Sequence, residues 1–204
     1  MVKYDCFDAI KNLTEWMQPI KKSQPFPFNL MWSSKLQPHP LGVTAIIAPW
    51  NYPIQLLLRP LIGAIAAGNA VVLKPSEVTD KVARVIYEKL PQYIDTEMVR
   101  VVCGGAPETT ALLKEKMDFV LFTGGGSIGK IVMSACSKHL TPCCLELGGK
   151  NPVILDDDID LDTSIKRTLS IFYTFSLSLS LFPSLYILIC DHGDRRCLEL
   201  VSAD

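Results

Sequence analysis

Several groups of residues have the types and spacing to do chemistry. The first is Gly124-x-Gly126-x-x-Gly129, which follows the apolar run Phe119-Val-Leu-Phe122 and leads into a helical pattern. A strand, a glycine turn and a helix start together make an anion site. The unpaired N–H groups and positive dipole end of the helix favour phosphate, and glycines let it approach the backbone. The spacing is that of a dinucleotide fingerprint, with Glu146 near the distance where a ribose-binding acid is expected. Gly124, Gly125, Gly126, Ser127, Ile128 and Gly129 are therefore candidates for cofactor binding, although a plain strand–turn–helix unit would use the same glycines. The second group is Lys74-Pro-Ser-Glu77, again after an apolar run. Its Lys and Glu either hold the two ribose hydroxyls of a nucleotide or form a surface ion pair at a helix start. A carboxylate accepting both hydroxyls would repel a 2′-phosphate. The third is Ala48-Pro-Trp-Asn-Tyr-Pro53, where the Asn51 amide either donates to a developing oxyanion or turns the chain before Pro53. Among thiols, Cys144 shares a strand face with Glu146 by period two, a place where a small thiol is usually core. Cys190-x-His192-x4-Cys197 lacks a fourth ligand and reads as a loop, so no metal site is expected.

These groups need elements to position them. Gly42–Ala48 is a near-continuous apolar run, suited to a parallel strand buried on both faces. Leu56–Ala67 is an Ala-rich helix interrupted at Arg59-Pro60 and stopped at Gly68-Asn69. Ala70–Leu73, Met98–Val102, Phe119–Phe122 and Cys143–Leu147 read as further strands. Thr79–Leu90, capped by Thr79 or Asp80, and Glu108–Lys116 read as helices. Ser127–Lys138 is a third, with an Ile128, Ile131, Val132, Ala135 stripe. This alternation predicts an α/β fold with a doubly wound, mostly parallel sheet over residues 40–156. Asn51, Lys74, Gly124 and Glu146 should lie at the carboxyl ends of strands, around one cleft. Before it, Phe7, Ile10, Leu13, Trp16 and Met17 fall at helical spacing, and Pro19 with Pro25-Phe-Pro-Phe28 forces an extended linker.

The chain has 204 residues, 49% hydrophobic and 20% charged, with net charge −1, an ordinary globular make-up for one to one and a half domains. The balance leaves no electrostatic footprint for nucleic acid. An odd number of cysteines at irregular spacing does not make a disulfide framework. With no signal peptide at Met1–Asn12, the cytoplasm is the expected location.

Taken together, the segments resemble the aldehyde dehydrogenase superfamily, most closely its class 3 or fatty-aldehyde branch. The matching text includes Pro40-Leu-Gly-Val43, Pro49-Trp-Asn-Tyr-Pro53, Leu73-Lys-Pro-Ser-Glu77, Phe122-Thr-Gly124, Lys138-His-Leu-Thr-Pro142 and Leu145-Glu-Leu-Gly-Gly-Lys150. It runs in order from about His39 to Thr168, with a weaker extension into the N-terminal helix. The resemblance implies a Rossmann-like cofactor-binding domain and oxidation of an aldehyde to an acid with NAD or NADP. A cysteine thiolate would attack the carbonyl. Asn51 would stabilise the oxyanion, and Glu146 would activate water to hydrolyse the thioester. Lys74 and Glu77 would hold the adenosine ribose, Gly124–Gly129 the pyrophosphate, and Trp50 would line the cofactor slot. Members are usually homo-oligomers.

The family's nucleophile sits in a Gly-Gln-x-Cys segment whose place falls near Ser180, and this sequence carries no such motif. The expectation is an incomplete, inactive cofactor-binding region in three parts: 1–38, 39–168, and an atypical Ser/Leu-rich tail, 169–204. Residues 168–190 are uncharged and long enough for a membrane helix. Pro183, Ser170, Ser176, Ser178, Ser180 and Ser184, with a Ser-Leu alternation of strand period, argue against one. Residues from Ser170 onward read as translated noncoding sequence rather than family sequence. The alternative from another class is a noncatalytic binding or regulatory fragment attached to membrane by this tail.

Overall fold

The computed structural model describes residues 1–23, 25, 33–149, 151–156, 160, 162–164, 166–167, 185–190 and 197–200, with backbone alone at 151–156, 185–190 and 197–200. Residues 26–28 of the Pro25–Phe28 linker, most of the Ser/Leu tail and His192 of the Cys-His-Cys triplet fall outside this set. Packing divides the chain into two units, residues 1–122 with 133–144 and residues 123–132 with 145–204.

The first unit opens with α1 (Val2–Trp16) and a small antiparallel pair, β1 (Ile20–Lys22) with β2 (Ser34–Leu36). α1 forms where helical spacing predicts it, but with another face inward. Its buried residue is Ala9, while Phe7, Ile10, Trp16 and Met17 are exposed. α1 packs against α2 (Gln55–Ala66), where Arg59 Nε donates to Asp5 Oδ2 at 2.7 Å.

The main sheet comprises β3 (Val43–Ile47), β4 (Ala70–Lys74), β5 (Val99–Val101), β6 (Phe119–Gly124) and β7 (Cys143–Leu147), in the order β5-β4-β3-β6-β7. β3 pairs in parallel with β4 and β6, and β4 with β5. α2, α3 (Asp80–Lys89), α4 (Ala106–Leu112) and α5 (Gly126–Ser137) alternate with the strands. This is the doubly wound sheet expected, with strand order reversing between β3 and β6. Ala45 to Ala48 are all buried, as a strand covered on both faces requires. The core joins Ile46, Leu57, Leu61, Leu73, Ile86 and Val99.

Side-chain hydrogen bonds set the register of this sheet. Asp118 N–H donates to Val43 O at 2.8 Å, and Val43 N–H donates to Asp118 Oδ2 at 2.8 Å, which pins the starts of β3 and β6. Gly42 is required beside that latch. Its φ is +127°, and a Cβ there would stand 2.1 Å from Asp118 Oδ2. The buried Asn69 ties the end of α2 to the entry of β3. Its Oδ1 accepts from Leu41 N at 2.7 Å and Gly42 N at 3.0 Å, and its Nδ2 donates to Ala64 O at 3.2 Å.

The helices correct several expectations. α2 runs through Pro60 without interruption. It forgoes the bond that an N–H there would give Leu56 O, and buried Leu57 and Leu61 hold it on the sheet. Thr79 does not cap α3 with its side chain. Its Oγ1 donates to Ser76 O at 3.3 Å, and Ser76 Oγ caps the preceding Glu77–Thr79 turn by accepting from Val78 N at 3.3 Å. α4 starts earlier and ends earlier than expected, because Gly105 N–H donates to Glu108 Oε2 at 2.7 Å and fixes its start. α5 buries Gly129, Val132 and Cys136, while Ile128 and Ile131 of the predicted stripe are exposed. Here small residues meet the neighbouring element. α5 ends in Leu140, which adopts φ +56° beyond the last turn, with Thr141 N–H returning to Cys136 O at 3.0 Å.

In the second unit, β8 (Asn151–Asp156) pairs in parallel with β9 (Leu185–Cys190), and β10 (Cys197–Leu200) pairs antiparallel with β9. Residues 185–190 are thus strand, not the end of a helix. No helix among the described residues is long and apolar enough to cross a membrane.

Removing the Asn69 side chain strands the Leu41 and Gly42 N–H groups. Asn69→Ala should therefore lower unfolding free energy by about 2 kcal/mol, read as a fall in urea midpoint at unchanged m-value. Leu140→Gly should do the opposite. Leu140 is 89% exposed and held at positive φ, so glycine should relieve strain worth about 1 kcal/mol and raise the midpoint.

Candidate functional site

The strand ends carry the candidate residues. Register places Ile47, Lys74 and Phe122 side by side at the carboxyl ends of β3, β4 and β6. Ligands of open α/β sheets bind beyond such ends, at the point where strand order reverses.

Lys74 is the last residue of β4, and its side chain is the largest that is fully buried among the described residues, at 1% exposure. A buried ammonium must be compensated. Nζ donates to Pro75 O at 2.8 Å, while Glu77 Oε2 lies 3.7 Å away, an ion-pair rather than a hydrogen-bond distance. An ammonium has three protons to give, so this geometry leaves room for further oxygen acceptors. Glu77 is exposed, in the turn that Ser76 caps. Lys74 and Glu77 are therefore an ion pair, as one expectation held, but one with a buried cation rather than a solvated pair.

Beyond β3 the chain passes through Trp50 and Asn51, both half-buried, into α2. Asn51 Oδ1 is buried and has no hydrogen-bond partner among the described residues. An Asn that merely turned the chain would spend this oxygen on a nearby N–H. Tyr52 beside it sits at φ +50°, a conformation costing a non-glycine residue about 1 kcal/mol and frequent at functional turns.

One group here escaped the sequence reading. Cys103 follows β5, so the strand-end rule applied to every strand would have found it. Its Sγ lies 3.8 Å from Ala83 O. Partial burial raises its pKa, the Lys74 ammonium draws it back, and Asp80 raises it again.

In the second unit, Gly124 is the buried last residue of β6, and α5 begins at Gly126. The first-turn N–H groups of a helix have no carbonyl partner within it. Gly126, Ser127 and Ile128 are exposed, and no acidic residue stands in that turn to repel an anion. A Cβ at Gly126 would meet nothing within 4 Å. A Cβ at Gly129 would meet Leu147 Cδ2 at 2.8 Å, but that side chain is 44% exposed and can turn aside. The turn fits a phosphate group. Glu146 is exposed in the penultimate position of β7. No cluster of three metal-ligating side chains occurs among the described residues.

Comparison with known proteins extends this picture. The model of the aldehyde dehydrogenase family matches residues 3–176. Family sequence therefore begins within α1 and continues past Thr168, where the motif match had been expected to stop. Aldehyde dehydrogenase family 3 member A2 of Macaca fascicularis is 49% identical over 160 residues, covering 78% of this chain and 32% of that protein. The dimeric NADP-preferring aldehyde dehydrogenase of Mus musculus is 49% identical over 161 residues, covering 78% of this chain and 35% of that protein. The chain thus spans about a third of the length of these curated relatives. Among solved structures, the substrate-bound state of Staphylococcus aureus AldH aligns with a TM-score of 0.84 at 38% identity, covering 93% of this chain and 41% of that one. Mycobacterium tuberculosis aldehyde dehydrogenase complexed with NAD+ aligns with a TM-score of 0.68 at 27% identity, covering 81% and 34%. Sheet order, strand-end residues and these matches agree, and the chain belongs to the aldehyde dehydrogenase family.

Proposed function

We propose that this chain is the nicotinamide-dinucleotide-binding part of an aldehyde-oxidising oxidoreductase and that, as its sequence stands, it binds NAD or NADP without turning over aldehyde. The observation that carries the reading is Lys74, a buried ammonium at a strand's carboxyl end with one short hydrogen bond and donor capacity to spare. Ribose hydroxyls suit it, because they accept from Lys74 while donating to the exposed Glu77 carboxylate. The Gly124–Gly129 turn and the α5 start offer N–H groups to the pyrophosphate, and Trp50 offers an apolar wall.

Bound NAD(P) supplies a hydride acceptor. The chain's own residues do the rest of what it retains. Asn51 would offer its amide N–H to an oxyanion, and its buried Oδ1 has no partner among the described residues, whereas an Asn that merely turned the chain would have one. Glu146, exposed near the end of β7, would take a proton from water in a hydrolytic step, were a thioester formed. The covalent step needs a thiolate, and no cysteine here stands in a Gly-Gln-x-Cys context. Cys144 precedes Glu146 on β7, but a thiol two residues from the water-activating carboxylate on one strand face is not the family's arrangement.

Titration of the full chain with NAD and NADP tests the binding claim. Saturable binding should weaken about tenfold, or about 1.4 kcal/mol, in Lys74→Met, which keeps the apolar stem and the fold. Glu77→Gln should narrow the gap between the two dinucleotides in favour of NADP, since it removes the charge facing a 2′-phosphate. Incubation with aldehydes and either dinucleotide should give no reduced cofactor. Turnover that is lost in Glu146→Gln would refute the second half of the proposal, and equal binding by wild type and Lys74→Met would refute the first.

A further inference from the structure

The β1–β2 pair takes no part in the chemistry above, and the fold leaves it open. All of its residues except Ser34 are exposed. A two-stranded ribbon uncovered on both faces is marginal by itself. Register adds a further cost, because Lys21 stands directly opposite Lys35, and like charges in that position repel. Ile20 and Leu36 stand opposite each other on the other face, which Lys22 shares by strand alternation. No carboxylate among the described residues answers this charge. The sequence holds no Asp or Glu between Glu15 and Glu77. Within that stretch Arg59 pairs with Asp5 and Lys74 with Glu77, while Lys21, Lys22 and Lys35 stand in no ion pair among the described residues. The end of α1 adds apolar surface next to the ribbon, since Trp16 and Met17 are exposed as well. Both line a groove of about 400 Å3, together with Gln37 and Pro38 just past β2 and the last turn of α2.

We propose that this ribbon, with the end of α1, is a peripheral docking surface for an anionic lipid bilayer. Ile20 and Leu36 enter the boundary between headgroups and acyl chains. Lys22 on the same face, and Lys21 and Lys35 on the other, reach the lipid phosphates on their flexible stems. Tryptophan favours this depth, because its ring is apolar and its N–H is not. The two halves of the surface select the partner. A nucleic acid or free phosphate would answer the lysines but leave Ile20, Leu36 and Trp16 in water, whereas a bilayer boundary answers both. Three lysines and a small apolar face make a reversible attachment rather than an anchor. It is separate from the uncharged run at 168–190 and needs no spanning helix.

The test is co-sedimentation of the full chain with phosphatidylcholine vesicles containing about 30% phosphatidylserine, beside vesicles of phosphatidylcholine alone. The chain should bind the first and not the second. Raising chloride from about 0.1 M to about 1 M, which shortens the screening length from about 10 Å to about 3 Å, should release it. The triple variant Lys21→Gln, Lys22→Gln, Lys35→Gln should bind about a hundredfold more weakly. Its urea midpoint should equal or exceed that of the wild type, since it loses a like-charge pair. Ile20→Ser with Leu36→Ser should weaken binding about tenfold with the lysines intact. Inorganic phosphate should compete no better than chloride at matched ionic strength. Equal binding to both kinds of vesicle, or wild-type binding by the triple variant, would overturn the proposal. So would unchanged binding by the Ile20, Leu36 variant, or release by inorganic phosphate where chloride has no effect, either of which would make the surface a plain anion site.

Discussion

The structure turns on one charge buried at the end of a strand. Placing an ammonium where the core should be costs several kcal/mol unless oxygen atoms surround it. Lys74 meets that demand with the Pro75 carbonyl and the Glu77 carboxylate, both within its own short segment. Pro75 is itself buried, and Ser76 caps the turn that follows, so the acceptors are held by backbone. The parallel register does the rest: Lys74 is level with Ile47 because Ala70 is level with Val43. That register depends in turn on Asn69 and on the Val43–Asp118 latch. Polar side chains at the starts of β3 and β6 thus help to fix where Ile47, Lys74 and Phe122 fall.

The strands were legible because a parallel sheet buried on both faces demands unbroken apolar runs, and such runs are plain in the text. The strand-end residues were legible for the same reason, since each lies where an apolar run stops. The helix faces were not. In α1 and α5 the bulkiest apolar residues, Phe7, Ile10, Ile128 and Ile131, stay exposed, while Ala9, Gly129, Val132 and Cys136 are buried. Periodicity weighs side chains by size, but a close contact is made by the small ones. Pro60 and Thr79 misled in another way. Local propensity reads proline as a break and threonine as a cap, whereas tertiary packing of Leu57 and Leu61 carries α2 through the one, and the other, at the start of α3, gives its hydroxyl proton to Ser76 O instead.

The two packed units have separate logics. The first is a crossover sheet stabilised by a shared apolar core. The second joins the glycine turn to a small sheet in which β9 runs parallel to β8. The Ser-Leu alternation of the tail has the strand period, and the segment just beyond it, Leu185–Cys190, is rich in β-branched and aromatic residues and forms a strand. A boundary at Thr168 rests on where the motifs stop and the Ser/Leu-rich composition begins. Family similarity persists to residue 176, where no short motif is visible.

Hydrogen–deuterium exchange of the full chain with and without NAD tests the central claim most directly, because it reports where the dinucleotide sits as well as whether it binds. The account predicts slower exchange at the backbone amides of 74–80 and 124–129, with the sheet interior unchanged. Protection confined to other segments, or none at saturating NAD, would contradict it.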